Sequence, residues 1–138
     1  MSLQNVLLCL MTALAAAPLA VRADETSQEG STSVYELRTY TTFPGKLPDL
    51  HKRFRDHTMR LFEKHGMKNV GYWVPMDKPD TLVYIIAHKS REAADHSWKE
   101  FAADSEWKQV AKESERNGKI VKRVERHYMT PSDYSPLK

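Results

Sequence analysis

One stretch, Thr81–His88 (TLVYIIAH), limits the fold more than any other. It contains neither Gly nor Pro and is rich in β-branched and aromatic side chains, the composition of a strand. Both of its alternating faces are apolar, with Leu82, Tyr84 and Ile86 on one and Val83, Ile85 and Ala87 on the other. A strand of that kind belongs in the middle of a sheet, with a layer over each side.

The flanking segments supply the rest of the sheet. Val34–Thr42 (VYELRTYTT) reads as a strand, with Tyr35, Leu37, Thr39 and Thr41 on one face and Val34, Glu36, Arg38 and Tyr40 on the other. Pro44 and Gly45 end it as a turn. From Leu47 to His65 the spacing predicts a helix. Leu50, Phe54, His57, Leu61 and His65 form its stripe, Leu47, Thr58 and Phe62 lie beside them, and Gly66 stops it. Val70–Val74 is a short strand closed by Pro75. Ser90 is placed to cap a helix running to about Ala103, with Ala93 or Ala94, Ser97, Trp98, Phe101 and Ala102 on its stripe. Asp104 breaks that helix and caps a shorter one carrying Trp107, Val110, Ala111 and Ser114. Ile120–Met129 is the last strand, with Ile120, Val124 and Tyr128 as its apolar positions. The order β-α-β-β-α-β is the ferredoxin-like α+β plan, a four-stranded antiparallel sheet with helices on one face. The uncovered face of so apolar a sheet predicts a symmetric homodimer.

The remaining sequence narrows compartment and partners. A chain of 138 residues supports one domain. Its net charge of +3 comes from interspersed signs with no basic stripe, so no nucleic-acid partner is expected. The only cysteine, Cys9, lies in the apolar run Val6–Ala17, which removes disulfide frameworks, cysteine zinc sites and a cysteine nucleophile. That run, followed by Pro18 and Val21-Arg22-Ala23, reads as a signal peptide over residues 1–23, cleaved after Ala23. It falls short of the roughly 20 apolar residues of a membrane span. Residues 24–33 are polar and read as a flexible leader. The expected location is therefore periplasmic or extracellular, with no stable membrane span after processing.

Several segments together resemble the NIPSNAP family: Tyr35–Tyr40 (YELRTY), Pro44-Gly45-Lys46, Leu61–Met67 (LFEKHGM), Val70–Trp73 (VGYW), Ser105-Glu106-Trp107 and Thr130–Pro136 (TPSDYSP). The resemblance covers residues 34–136. It implies a dimeric α/β-barrel fold, in a superfamily that includes small monooxygenases, haem-degrading enzymes and binding modules. For NIPSNAP members it implies no settled reaction. The membrane-traffic and mitochondrial roles of eukaryotic members do not carry over to a chain with a secretory-type leader.

Candidate chemistry is thin. His57 lies on the helical stripe between Phe54 and Leu61 and so should face the sheet, either as a proton-transfer or ligand-contacting group or as a bonded structural histidine. Arg53 beside it suits a carboxylate, or an ordinary pairing with Asp49 or Asp56. Glu36 and Arg38 share a strand face and suit a pair with each other or across a dimer interior. His88 stands just before Ser90 and Arg91, where a helix start favours anions; a surface strand-end histidine is the plainer reading. Tyr72 and Trp73 suit either a pocket wall or the core. His51, His65, His96 and His127 show no paired metal spacing, and neither a GxSxG elbow nor a phosphate loop occurs. Haem through a single axial histidine leaves no spacing signature. No metal or cofactor is expected. The readings are a small-molecule-binding dimer, a cofactor-independent monooxygenase or isomerase with His57 as base and Arg53 or Tyr72 orienting the substrate, and a protein-interaction subunit.

Overall fold

The computed structural model describes residues 33–138. The expected signal segment, its cleavage point and all of the leader but Ser33 lie outside the described residues. Strand β1 is Val34–Thr42, β2 Lys68–Trp73, β3 Thr81–His88 and β4 Val121–Met129. They form one antiparallel sheet in the order β2-β3-β1-β4, so the apolar strand is interior, as its composition demands. This is the ferredoxin-like arrangement.

Helix α1 (Leu47–Arg53), a π-helical turn (Phe54–Thr58) and α2 (Met59–Lys64) run on as one helix. The turn entering it has Lys46 N–H donating to the Phe43 carbonyl across Pro44 and Gly45, the latter at φ 75°. Gly66 at φ 78° ends it, with the Met67 amide returning to the Phe62 carbonyl. Helix α3 (Arg91–Ala103) is capped by Ser90, whose Oγ accepts from Ala93 N–H. Helix α4 (Ser105–Ser114) is capped by Asp104, which accepts from the Glu106 and Trp107 amides.

All these helices lie over one sheet face. Leu50, Leu61, Phe62, Phe101 and Ile120 close on Leu82, Tyr84 and Ile86 to make the core. Each such side chain contributes about 1.5–3 kcal/mol by leaving water. The β1–β3 register sets Glu36 opposite Ile86, Arg38 opposite Tyr84 and Tyr40 opposite Leu82, so these three also point toward the helices. Tyr35, Leu37, Thr39, Val83 and Ile85 occupy the other face, half-buried. Two expectations are corrected here. Glu36 and Arg38 face the helix layer rather than the open side. Val124 is exposed on β4, an edge strand of the sheet.

Candidate functional site

The continuous helix presents two different flanks, and the structure distributes the candidate residues between them. On the flank facing α4, Asp49, Arg53, Asp56 and His57 meet Val110 and Ser114 across a groove of about 260 Å³. Arg53 is only 7% exposed, yet its contacts are long. Its Nη1 donates to Ser114 Oγ at 3.4 Å and stands 3.5 Å from Glu115 Oε1. Its Nε is buried with no hydrogen-bond partner among the described residues. Burial pushes the Arg53 guanidinium below its ordinary pKa, against the opposing attraction of Glu115. His57 is half-buried in the same groove. It therefore faces a neighbouring helix and not the sheet. The cause is the π turn: the Met59 amide reaches back five residues to the Phe54 carbonyl, and Thr58 takes the inward position, its Oγ1 donating to the Arg53 carbonyl at 3.2 Å.

On the opposite flank, Phe54, Met59, Tyr72, Trp73 and Leu82 line a pocket of about 200 Å³ at the β2 edge of the sheet, with His51 and Arg55 at its rim. Its wall is mainly apolar. Trp73 is 53% exposed and Val74 41% exposed, high values for such side chains. Tyr72 stacks on Tyr84, with centroids 5.2 Å apart, and donates its hydroxyl to Asn69 Oδ1. Asn69 Nδ2 donates in turn to the Met59 carbonyl at the end of the π turn. Burial raises the Tyr72 phenol well above its usual pKa, so it stays neutral and serves as a fixed wall.

His88 belongs to neither space. It is buried, and its Nε2 lies 2.9 Å from Glu36 Oε2. Trp98 Nε1 donates to the same oxygen at 2.6 Å, and Arg38 Nη1 donates to Glu36 Oε1 at 2.7 Å. The Arg38 guanidinium lies 4.1 Å from the centre of a Trp98 ring. Burial disfavours the Glu36 carboxylate, but the His88, Trp98 and Arg38 contacts outweigh it and hold the pKa below the ordinary value. Arg91, the other member of the anticipated anion site, instead lies 3.9 Å from the Tyr128 ring centre and bonds Asp95. The network joins the sheet to α3 with its charges matched.

Arg53 and His57 are thus brought together, Tyr72 and Trp73 both line the pocket at the β2 edge while pairing with Tyr84 and Val83 on opposite sheet faces, and His88 is kept apart from both. Sequence reasoning passed over His51, Arg55 and Met59, although their spacing of four marks one flank of a helix. On the facing wall, Val110 and Ser114 belong to the stripe expected of α4, whereas Glu113 and Asn117, the latter just past the helix, were not anticipated as lining. Among the described residues, no three His, Cys, Asp or Glu side chains converge as metal ligands, and no helix is long and apolar enough to cross a membrane.

The sequence profile of the NIPSNAP family matches residues 35–136. No curated protein matches the chain. Among solved structures, a NIPSNAP family protein of unknown function from Agrobacterium tumefaciens is 25% identical, with a TM-score of 0.69 over 78% of this chain and 96% of that one. An uncharacterized NIPSNAP-like domain protein from Burkholderia xenovorans is 15% identical, with a TM-score of 0.67 over 77% of this chain and 90% of its own. More distantly, SnoaB, a cofactor-independent oxygenase from Streptomyces nogalater, is 16% identical, with a TM-score of 0.54 over 76% and 98% of the two chains.

Proposed function

The chain belongs to the NIPSNAP family, and we propose that it is an exported, homodimeric binding module whose pocket at the β2 edge takes a small, mainly apolar organic molecule. The observation carrying this reading is the pocket wall of Phe54, Met59, Tyr72, Trp73 and Leu82. Aromatic and aliphatic lining with a few polar groups at the mouth suits small ligands. Tyr72 is fixed from both sides, by the Tyr84 ring and by Asn69, so that part of the wall is formed before anything binds. Arg55 and His51 at the rim suit an oxygen function on the ligand's outer end. A volume near 200 Å³ admits a molecule the size of one or two fused rings. The apolar segment Val6–Ala17 supports placing the module outside the cytoplasm.

Indole titrated into the isotopically labelled protein is the direct test. The expected result is amide shifts confined to Tyr72, Trp73, Val74 and Leu82, removed by Met59→Trp, which fills the pocket. Absence of those shifts up to the solubility limit of indole sinks the reading.

Catalysis of the cofactor-independent oxygenase or isomerase kind is the second reading, supported by the fold held in common with SnoaB. With His57 as base and Tyr72 as orienting group it meets an obstacle, since the two residues line spaces with no residue in common. The pairing of His57 with Arg53 in one groove is compatible with it. Consumption of oxygen by the purified dimer in the presence of a bound phenol separates this reading from simple binding.

A further inference from the structure

The groove between α1 and α4 holds a cation that its own protein contacts leave under-compensated. A charge-assisted bond from a guanidinium is normally about 2.7–2.9 Å long, whereas the Arg53 contacts to Ser114 and Glu115 are 3.4 Å and 3.5 Å. Ser114 already donates its hydroxyl proton to the Ala111 carbonyl, so toward Arg53 it offers only a neutral oxygen. The Arg53 guanidinium lies 5.4 Å from the Trp107 ring centre, which supports it on an apolar face rather than neutralising it. The neighbouring charges are differently placed. Lys52 is bound to Asp56 at 2.5 Å and Lys46 to Asp49 at 3.1 Å. Glu113 on the far wall accepts from Gln109, a neutral donor. Arg53 thus has a displaceable partner in Glu115, whose side chain is 37% exposed and free to swing into water.

We propose that this groove is a second binding site, for a small monocarboxylate with a neutral or positively charged remainder, in which the ligand carboxylate replaces Glu115 on Arg53. Fork geometry favours a carboxylate at the guanidinium. Asp49 and Asp56 are matched by Lys46 and Lys52, whereas Glu113, whose partner is the neutral Gln109, is left to disfavour a dianion such as phosphate and to accept an ammonium at the ligand's other end. A space of about 260 Å³ holds roughly nine waters, the room of a ligand with about ten non-hydrogen atoms.

The experiment is a nitrogen-15 NMR titration of the protein with butyrate, 4-aminobutyrate, butyramide and inorganic phosphate. It follows the Arg53 Nε–H signal and the amides of Ser114 and Asn117. Butyrate and 4-aminobutyrate are expected to shift these signals, and butyramide and phosphate to leave them unmoved. Glu115→Gln, which removes the competing carboxylate at an exposed position, is expected to tighten binding about two- to fivefold. Arg53→Gln is expected to weaken it about tenfold or more. A Trp73→Ala change in the separate apolar pocket is expected to leave the titration unchanged. The proposal is overturned if butyramide acts like butyrate, or if Glu115→Gln weakens binding or leaves it unchanged. The Glu115 arm stands even where Arg53→Gln does not fold.

Discussion

At the scale of single residues, Glu36 is the most committed group in the molecule. It is fully buried and receives His88, Trp98 and Arg38 on its two oxygens. Removing one member of a buried charge network leaves the rest desolvated and unmatched, a cost of about 3–5 kcal/mol. Glu36→Gln is therefore expected to lower stability by that order near neutral pH, measured by urea denaturation. The pH dependence has a definite sign. The folded-state pKa of Glu36 is depressed, so its contribution is complete above the unfolded carboxylate value and is lost as pH falls through the folded one. The gap between wild type and Glu36→Gln should narrow on acidification, and a gap of constant size down to the acid transition would refute the assignment. The sequence disclosed that Glu36 and Arg38 share a strand face. It did not disclose which face is inner, because β3 is apolar on both sides and alternation has period two but no sign. His57 was misdirected for another reason: nothing in FRDHT announces a π turn, and one extra residue in a turn rotates everything near it.

At the scale of elements, boundaries written in capping chemistry were legible and boundaries set by packing were not. Ser90, Asp104 and Gly66 mark the starts of α3 and α4 and the end of α2 where the side-chain rules place them. The π turn inside the first helix and the bulges at Asn69/Gly71 and Thr41/Thr42 answer to tertiary fit and leave no such mark. Asp104 does more than cap. Its Oδ2 accepts from Lys64 Nζ and meets His65 Nε2, each at 2.7 Å, while Oδ1 holds the α4 amides. One carboxylate thus joins the end of α2 to the start of α4. The Lys64 and His65 contacts and the helix amides depress its pKa, so this link is present above the ordinary carboxylate range and fails as pH drops through the lowered value. Asp104→Asn keeps the cap and loses the charge. It is expected to retain protection of the Glu106 and Trp107 amides in hydrogen exchange while lowering the melting temperature, whereas Asp104→Ala loses both. Equal loss of amide protection in the two variants would show that the charge, not the cap, holds α4.

At the scale of the whole molecule, the open sheet face decides whether the chain works alone. The core does not need a partner: Tyr84 and Ile86 are fully buried under the helices of a single chain. What stays available is the row Tyr35, Leu37, Thr39, Val83 and Ile85, half-buried, flanked on β4 by exposed Arg123, Glu125 and His127 and at the other edge by Trp73. An apolar centre with a charged rim is the layout of a protein interface. The C-terminal segment covers one end of the row: the Tyr35 hydroxyl donates to the Lys138 carbonyl, and Pro131, Ser135 and Leu137 face Tyr35 and Ile85 across a cavity of about 210 Å³. We infer a twofold dimer through this face, which also brings Trp73 near the shared boundary. Ile85→Glu places a charge at the centre of the row without touching the core side of β3. Sedimentation equilibrium is expected to find the unaltered chain dimeric and Ile85→Glu monomeric, with superimposable far-ultraviolet circular dichroism. A wild-type chain that sediments as a monomer overturns the dimer while leaving the fold and both pockets intact, because every residue of those pockets comes from one subunit. An Ile85→Glu chain that remains dimeric moves the interface to another surface, with the outer helices as the next face to vary.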